Sequence, residues 1–167
     1  MIEYPVTYRD NNDDDYTIND QQYRSLLVAP YYFIKLDAVD GLWGADISHE
    51  SHPIPGLTGE VSGDIFRRGK TITLSGIIYA RGLAELRLGQ RYLQEMFWDV
   101  SAPRKLIYRT WDMSEQVYIY CRVIQDVAMT ERIDGFTFRA PWTVALRADD
   151  PRSRKLSDDT IYPTYQT

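Results

Sequence analysis

The sequence predicts a mainly β fold of the α+β kind: an antiparallel β-sandwich or barrel-like domain with a single packed α-helix at about 83–100. Three observations carry this. From Gly135 to Ala148 the apolar side chains Phe136, Phe138, Ala140, Trp142, Val144, Leu146 and Ala148 fall on every second position, the period of a half-buried strand. Lys70 to Ala80 repeats that period through Ile72, Leu74 and Ile78. Only Leu83 to Val100 breaks it, with Leu83, Leu86, Leu93, Met96, Phe97 and Val100 spaced three, four and seven apart on one helical stripe.

A chain of 167 residues is one domain by length, able to remove roughly 70% of its unfolded surface from water. Thirteen tyrosines favour strands and also suit partner contacts, and both readings stay open. The net charge of -5 argues against sequence-specific nucleic-acid binding, which clustered Lys and Arg would carry. No window reaches the roughly eighteen apolar residues of a membrane span, and residues 1–15 are acidic where a signal peptide is basic and then apolar. The expectation is a soluble protein made in the cytoplasm, without membrane insertion. Cys121 is the only cysteine, so no intramolecular disulfide framework exists.

Along the chain, residues 1–20 read as an acidic flexible arm, because Asp10, Asp13, Asp14, Asp15 and Asp20 with intervening Asn leave little to bury. Residues 21–152 read as the β-rich domain. A first strand is expected near Tyr31 to Leu36, with Pro30 favouring an edge. Gly41, Gly44, Pro53, Pro55, Gly56, Gly59 and Gly63 then mark a long loop in which few strands would propagate. Gly76 inside the next strand marks a bulge or a close approach of backbone. Gly89 costs the helix about 1 kcal/mol relative to Ala, so that helix depends on packing. Strands Lys105 to Trp111, Gln116 to Met129 and Gly135 to Ala148 follow as consecutive antiparallel partners, the last with Pro141 at an edge or bulge. Residues 153–167 show no period and read as a tail or linker.

Tests for chemistry mostly fail. His49 and His52 lie three apart, but Pro53 and Pro55 preclude the helix that would align them, and no further ligands are fixed, so no metal is assigned. Asp10, Asn12 and Asp14 have calcium-loop spacing, yet Asp15 stands where Gly is needed and Gln21 where Glu is needed. No Gly-x-Ser-x-Gly elbow or phosphate-binding loop appears, and no cofactor is expected. Asp149 and Asp150 suit a turn before Pro151 better than acid-base work. The expectation is no enzyme. Arg67, Arg68 and Lys70 form the one compact basic cluster, suited either to a neighbouring carboxylate or to a solvated strand start.

Four elements occur in order: a Gly-rich loop from Gly56 to Gly69, the strand Lys70 to Tyr79, the Leu-rich helix, and a closing run Thr143 to Pro151 that ends in an acidic-Pro step. Over about Leu36 to Arg152 this resembles the distal tail proteins of siphophages. The resemblance implies a ring domain that assembles with itself, most often as a hexamer, and joins the tail tube protein to the tail-tip hub within the virion after assembly in the host cytoplasm. The tape-measure and receptor-binding proteins are further candidate neighbours. Many relatives carry a second, galectin-like domain beyond the acidic-Pro step, where this sequence runs only to Thr167. Expected ring contacts are the loop from His49 to Gly69, the cluster Arg67, Arg68 and Lys70, and the tyrosines Tyr79, Tyr118 and Tyr120, read as facing solvent. The alternative is a monomeric carbohydrate-binding β-sandwich using exposed aromatics such as Trp43 and Trp111, and a tail-associated hydrolase ranks below both.

Overall fold

In chain order the elements are β1 (Val6–Arg9), β2 (Asp15–Ile18), β3 (Tyr32–Asp40), β4 (Ile47–Pro53), β5 (Glu60–Arg67), β6 (Lys70–Ala80), α1 (Leu83–Met96), β7 (Arg104–Arg109), β8 (Gln116–Met129), β9 (Arg132–Asp134), β10 (Thr137–Ala148), β11 (Ser153–Lys155) and β12 (Ile161–Tyr162). The computed structural model describes residues 5–9, 14–20, 26–27, 29–42, 69–110, 114–134 and 137–162, and the backbone alone of 47–53 and 60–67. The fold is mainly β with one helix among the described residues, as the periodicities predict.

Ten strands form one antiparallel sheet in the order β2-β1-β7-β8-β10-β6-β3, with β9 on β10, β11 on β8 and β12 on β11. β8 is the hinge of this sheet. Its first half pairs with β7 from Gln116 to Cys121, and its second half pairs with β10 from Arg122 to Met129. Register shifts between Thr143 and Leu146 of β10 interrupt the second ladder, and such bulges bend and twist a strand.

The bending brings the far ends of the sheet together. Asn19, just after β2, donates its N–H to the carbonyl of Ile34 at 2.7 Å and accepts the Leu36 N–H on Oδ1 at 3.4 Å, which ties β2 to β3. Asn19 has φ of 62°, a conformation that Asn tolerates better than most side chains. Tyr92 of α1 adds a second tie: its hydroxyl accepts the Thr17 N–H at 2.8 Å and donates to the Thr17 carbonyl at 3.3 Å. Tyr92→Phe removes both bonds while keeping the ring, and should cost about 1–2 kcal/mol, or about 4 °C in Tm by calorimetry. An unchanged Tm would show that the two ends hold together without the helix.

The core lies inside this curled sheet, built from Tyr8, Ile18, Leu36, Ile72, Leu74, Ile78, Leu106, Ile119, Val144 and Leu146, with Leu86, Leu93, Met96 and Phe97 of the helix segment packed onto it. Gly89 is buried because a Cβ there would stand 2.9 Å from Ile78 Cγ2 and 3.0 Å from the Tyr32 ring, so its lost helix propensity is exchanged for close packing. Gly76 is the close approach expected of it. It lies opposite Leu36, where β3 is bulged, and any Cβ would strike the Lys35 carbonyl oxygen. Pro141 pairs with Ile77 on one side, and its carbonyl accepts the Thr130 N–H at 3.2 Å on the other. The missing N–H therefore faces the turn between β8 and β9, where no ladder bond is lost.

Four expectations need correction. Residues 1–20 are not a free arm throughout: β1 pairs with both β2 and β7, and Tyr8 is 0% exposed. Val6 and Tyr8 on β1 and Tyr16 and Ile18 on β2 supply enough alternating apolar surface to join the core despite the acidic residues between them. The stretch from Gly41 to Gly69 contains a two-stranded antiparallel sheet, β4 with β5. The helix ends at Met96, and Leu83 and Val100 are exposed, so its buried stripe is shorter than the spacing suggests. The segment after Arg152 is no simple tail: β11 pairs with both β12 and β8, because β8 leaves an edge open beside Val117 and Tyr118.

Candidate interaction surfaces

The residues expected to meet partners are spread over the subunit. Lys70, at the start of β6, is buried, and its ammonium donates to the Leu42 carbonyl at 2.5 Å. Burial holds the Lys70 pKa below its ordinary value. Lys70 is thus an internal tie, which corrects its reading as part of an exposed cluster: its stem follows the inward face of β6. Beside it Gly41 has φ of 74°, and a Cβ on Gly69 would stand 2.6 Å from the Ala148 carbonyl oxygen. The end of β3, the start of β6 and the end of β10 therefore meet at one junction, from which β4 and β5 extend in sequence. Arg67 closes β5 opposite Ile47, described by its backbone alone, and Arg68 lies outside the described residues.

The acidic-Pro step closes this junction as a turn. Asp149 accepts from Arg122 at 2.8 Å, and Asp150 holds Arg152 through Nε at 2.8 Å, Nη2 at 2.8 Å and the backbone N–H at 3.1 Å. The Arg152 guanidinium keeps the Asp150 carboxyl below its ordinary range.

Tyr79 is half-buried at the opposite end of β6, in register with Phe33 and Arg139. Tyr118 and Tyr120 lie two apart on β8 with ring centroids 5.3 Å apart, edge to face, and the Lys105 ammonium sits 4.8 Å and 5.9 Å from their centroids. Only Tyr120 faces solvent, at 43% exposed. Tyr118 is 2% exposed and donates its hydroxyl to Asp159, which corrects the reading of it as solvent-facing. The β11–β12 hairpin covers it, a tertiary contact that alternation along β8 does not reveal.

Sequence reading missed the segment just after the helix. Trp98 is 82% exposed, and Val100 is exposed beside it. The turn that carries them is firmly held: Asp99 accepts from Ser101 Oγ at 2.6 Å and Ser101 N–H at 2.8 Å, and pairs with Arg104. The signal available was Asp99 followed two residues later by Ser101, a side-chain turn motif. The Ser101 bonds, side chain and then backbone, and the Arg104 bond lower the Asp99 carboxyl to about 2. A folded pKa below the unfolded value stabilises above the ordinary carboxylate range and is lost as pH falls through the folded value. Acid titration from pH 5 to pH 2 should therefore release this turn, and Asp99→Asn should flatten that part of the stability profile measured by urea unfolding. An identical acid slope in Asp99→Asn would contradict the assignment.

A cleft of about 210 Å3 opens at the seam between β2, β3 and α1, lined by Ile18, Pro30, Tyr32, Ile34 and Tyr92 with Asp20 among its polar residues. Among the described residues no three His, Cys, Asp or Glu side chains are grouped to hold a metal ion. Cys121 is buried, and burial pushes its thiol up to about 12, so it serves the core. Among the described residues no helix is long and apolar enough to cross a membrane. His49 and His52 lie on β4, where only the backbone is described, and Trp43 and Trp111 lie outside the described residues.

No family model and no curated protein matches the chain. The fold does match a solved structure, the crystal structure of the Dit protein (gp 19.1) of SPP1, described as a paradigm of the hub adsorption apparatus in phages that infect Gram-positive bacteria. The match covers 90% of this chain with a TM-score of 0.57 at 16% sequence identity. The chain spans about half the length of that protein, 51% of it. The β6 strand, the helix and the acidic-Pro step, which follow one another in that order, thus belong to a chain with a distal tail protein-like fold.

Proposed function

We propose that this chain is a structural subunit of a phage tail hub, which forms a homo-oligomeric ring of six copies and joins the tail tube to the tail-tip complex in the virion. The observation that carries this reading is the likeness of nearly the whole chain to a hub protein. Its work is burial of surface between subunits, and we infer no catalytic role. The partners are further copies of itself, the tail tube protein and the tail-tip protein, with assembly in the host cytoplasm. Of the expected contact residues, Arg67 at the end of β5, Tyr79 and Tyr120 remain candidates, as does Arg68, which lies outside the described residues, while Lys70 and Tyr118 are buried within the subunit. The net charge of -5 suits a lumen that DNA must pass without being retained.

Sedimentation velocity with negative-stain microscopy tests this reading, on the chain alone and mixed with its tail tube protein. Closed rings in either sample are expected. A strict monomer in both samples, with measurable glycan affinity, would replace the ring reading with the carbohydrate-binding one.

A further inference from the structure

Arginines stand directly opposite one another at both ends of β10, and only one of the two pairs has a counter-charge. Near its C-terminal end Arg147 lies in register with Arg122 of β8, and Asp149 joins them, pairing with Arg122 at 2.8 Å and approaching Arg147 at 4.0 Å. Near its N-terminal end Arg139 lies in register with Arg132 of β9. Residues opposite each other in a ladder have Cβ atoms roughly 5 Å apart, where like charges destabilise the pair. Among the described residues neither Arg132 nor Arg139 has a carboxylate partner, and the buried Arg139 Nε makes no hydrogen bond.

No acid among the described residues of the same subunit supplies the missing charge. Arg139 and Arg147 share the outer face of β10, eight residues or roughly 26 Å apart, so Asp149 cannot serve both. Glu131 is turned toward the helix, where it lines a groove with Arg87 and Arg91. Asp134 is on the face of Arg132, opposite Thr137, but forms no ion pair with either arginine.

The surroundings of the pair suit a contact. β9 pairs with β10 alone, so beyond Arg132 the sheet edge is open. Tyr79, a candidate contact residue, stands next to Arg139 in the same cross-strand row. Two guanidinium forks call for an oxyanion, and Asp149 shows on the same strand that a carboxylate answers such a pair. A chain with 24 acidic against 19 basic residues presents carboxylates in excess on every further copy, and its net charge of -5 repels the phosphates of a nucleic acid. We propose that the Arg132 and Arg139 pair takes a carboxylate side chain from a second copy of this chain. The contact rests on the ring reading above and deepens it by naming a charged surface between subunits.

Arg132→Gln, at an exposed position, and the double variant Arg132→Gln/Arg139→Gln test the contact through two opposed readouts. In solution dilute enough for sedimentation to show a monomer, loss of the repulsion should raise Tm by about 1–2 °C. Association of the chain, alone and with its tail tube protein, should weaken about 10-fold in the double variant by sedimentation velocity. A lower monomer Tm in Arg132→Gln would make the pair an internal tie and overturn the proposal. Undiminished rings of the double variant would overturn it and leave the hub reading intact, whereas a wild type that assembles in neither sample would overturn both. The donor is found by mixing isotope-labelled Arg132→Lys with unlabelled wild type and adding a carbodiimide, which joins an amine and a carboxylate in contact as an amide. A cross-link from position 132 of the labelled chain to an acidic residue of the unlabelled one is expected. Cross-links confined to one chain, as to Asp134, would contradict the contact. Binding of a short DNA duplex by wild type and not by the double variant would give the site to phosphate, and overturn it as well.

Discussion

Gly76→Val should destabilise the chain by about 3 kcal/mol, the upper part of the range for overpacking, and lower Tm by about 10 °C. Gly76 lies mid-strand between Leu36 of β3 and Trp142 of β10, so its backbone is paired on both sides and has no room to shift. The bulge in β3 pushes the Lys35 carbonyl to where a Cβ would be, and that obstacle is backbone, which cannot rotate away as a side chain would. Gly76→Ala should fall between wild type and valine. Differential scanning calorimetry decides: a Gly76→Val protein melting within about 2 °C of wild type would mean that β3 can straighten its bulge without loss.

Tyr8→Ala should cost about 3–5 kcal/mol, the range for truncating a buried aromatic. The residue is 0% exposed, and its ring meets Phe97 with centroids 5.1 Å apart, so it links the N-terminal strand to the end of the helix segment. Tyr8→Phe should do the opposite on a smaller scale. The Tyr8 hydroxyl meets no hydrogen-bond partner among the described residues, and burial holds its pKa above the ordinary value. Removing it should raise stability by about 1 kcal/mol. Urea unfolding of both variants checks the pair. A silent Tyr8→Ala would return β1 to the role of a loose arm.

These two positions also show what was legible. Gly76 stood out because a glycine inside clean alternation has few uses, and the structure supplies one of them. Long elements read well for the same reason: β6 and β10 keep period two over enough residues for apolar spacing to dominate. Tyr8 was hidden because β1 and β2 are four residues each, so two inward residues per strand compete with a dense acidic run between them. The β4–β5 pair was obscured by glycine and proline around it, and β11 and β12, at three and two residues, are too short to show any period. Their existence depends on the open edge of β8, a tertiary fact.

Surface roles were less legible than the scaffold. The basic run at Arg67 to Lys70 reads as one patch, but Lys70 turns inward to Leu42 because strand geometry, not charge, decides its side. Alternation distinguished Tyr118 from its neighbours correctly as to face and wrongly as to exposure, because the hairpin from Ser153 to Tyr162 covers that face. Trp98 escaped notice because it follows the apolar Phe97 at the end of a helix, where an exposed tryptophan and a buried one look alike in sequence.

The central claim is a place in the particle, and cryo-electron microscopy of the tail tip of purified virions addresses it most directly. The account predicts density for a ring of six copies of this fold, with α1 packed on the curled sheet, between the last ring of the tail tube and the tail-tip complex. Virions from which the chain is absent, or in which it sits away from that junction, would contradict it.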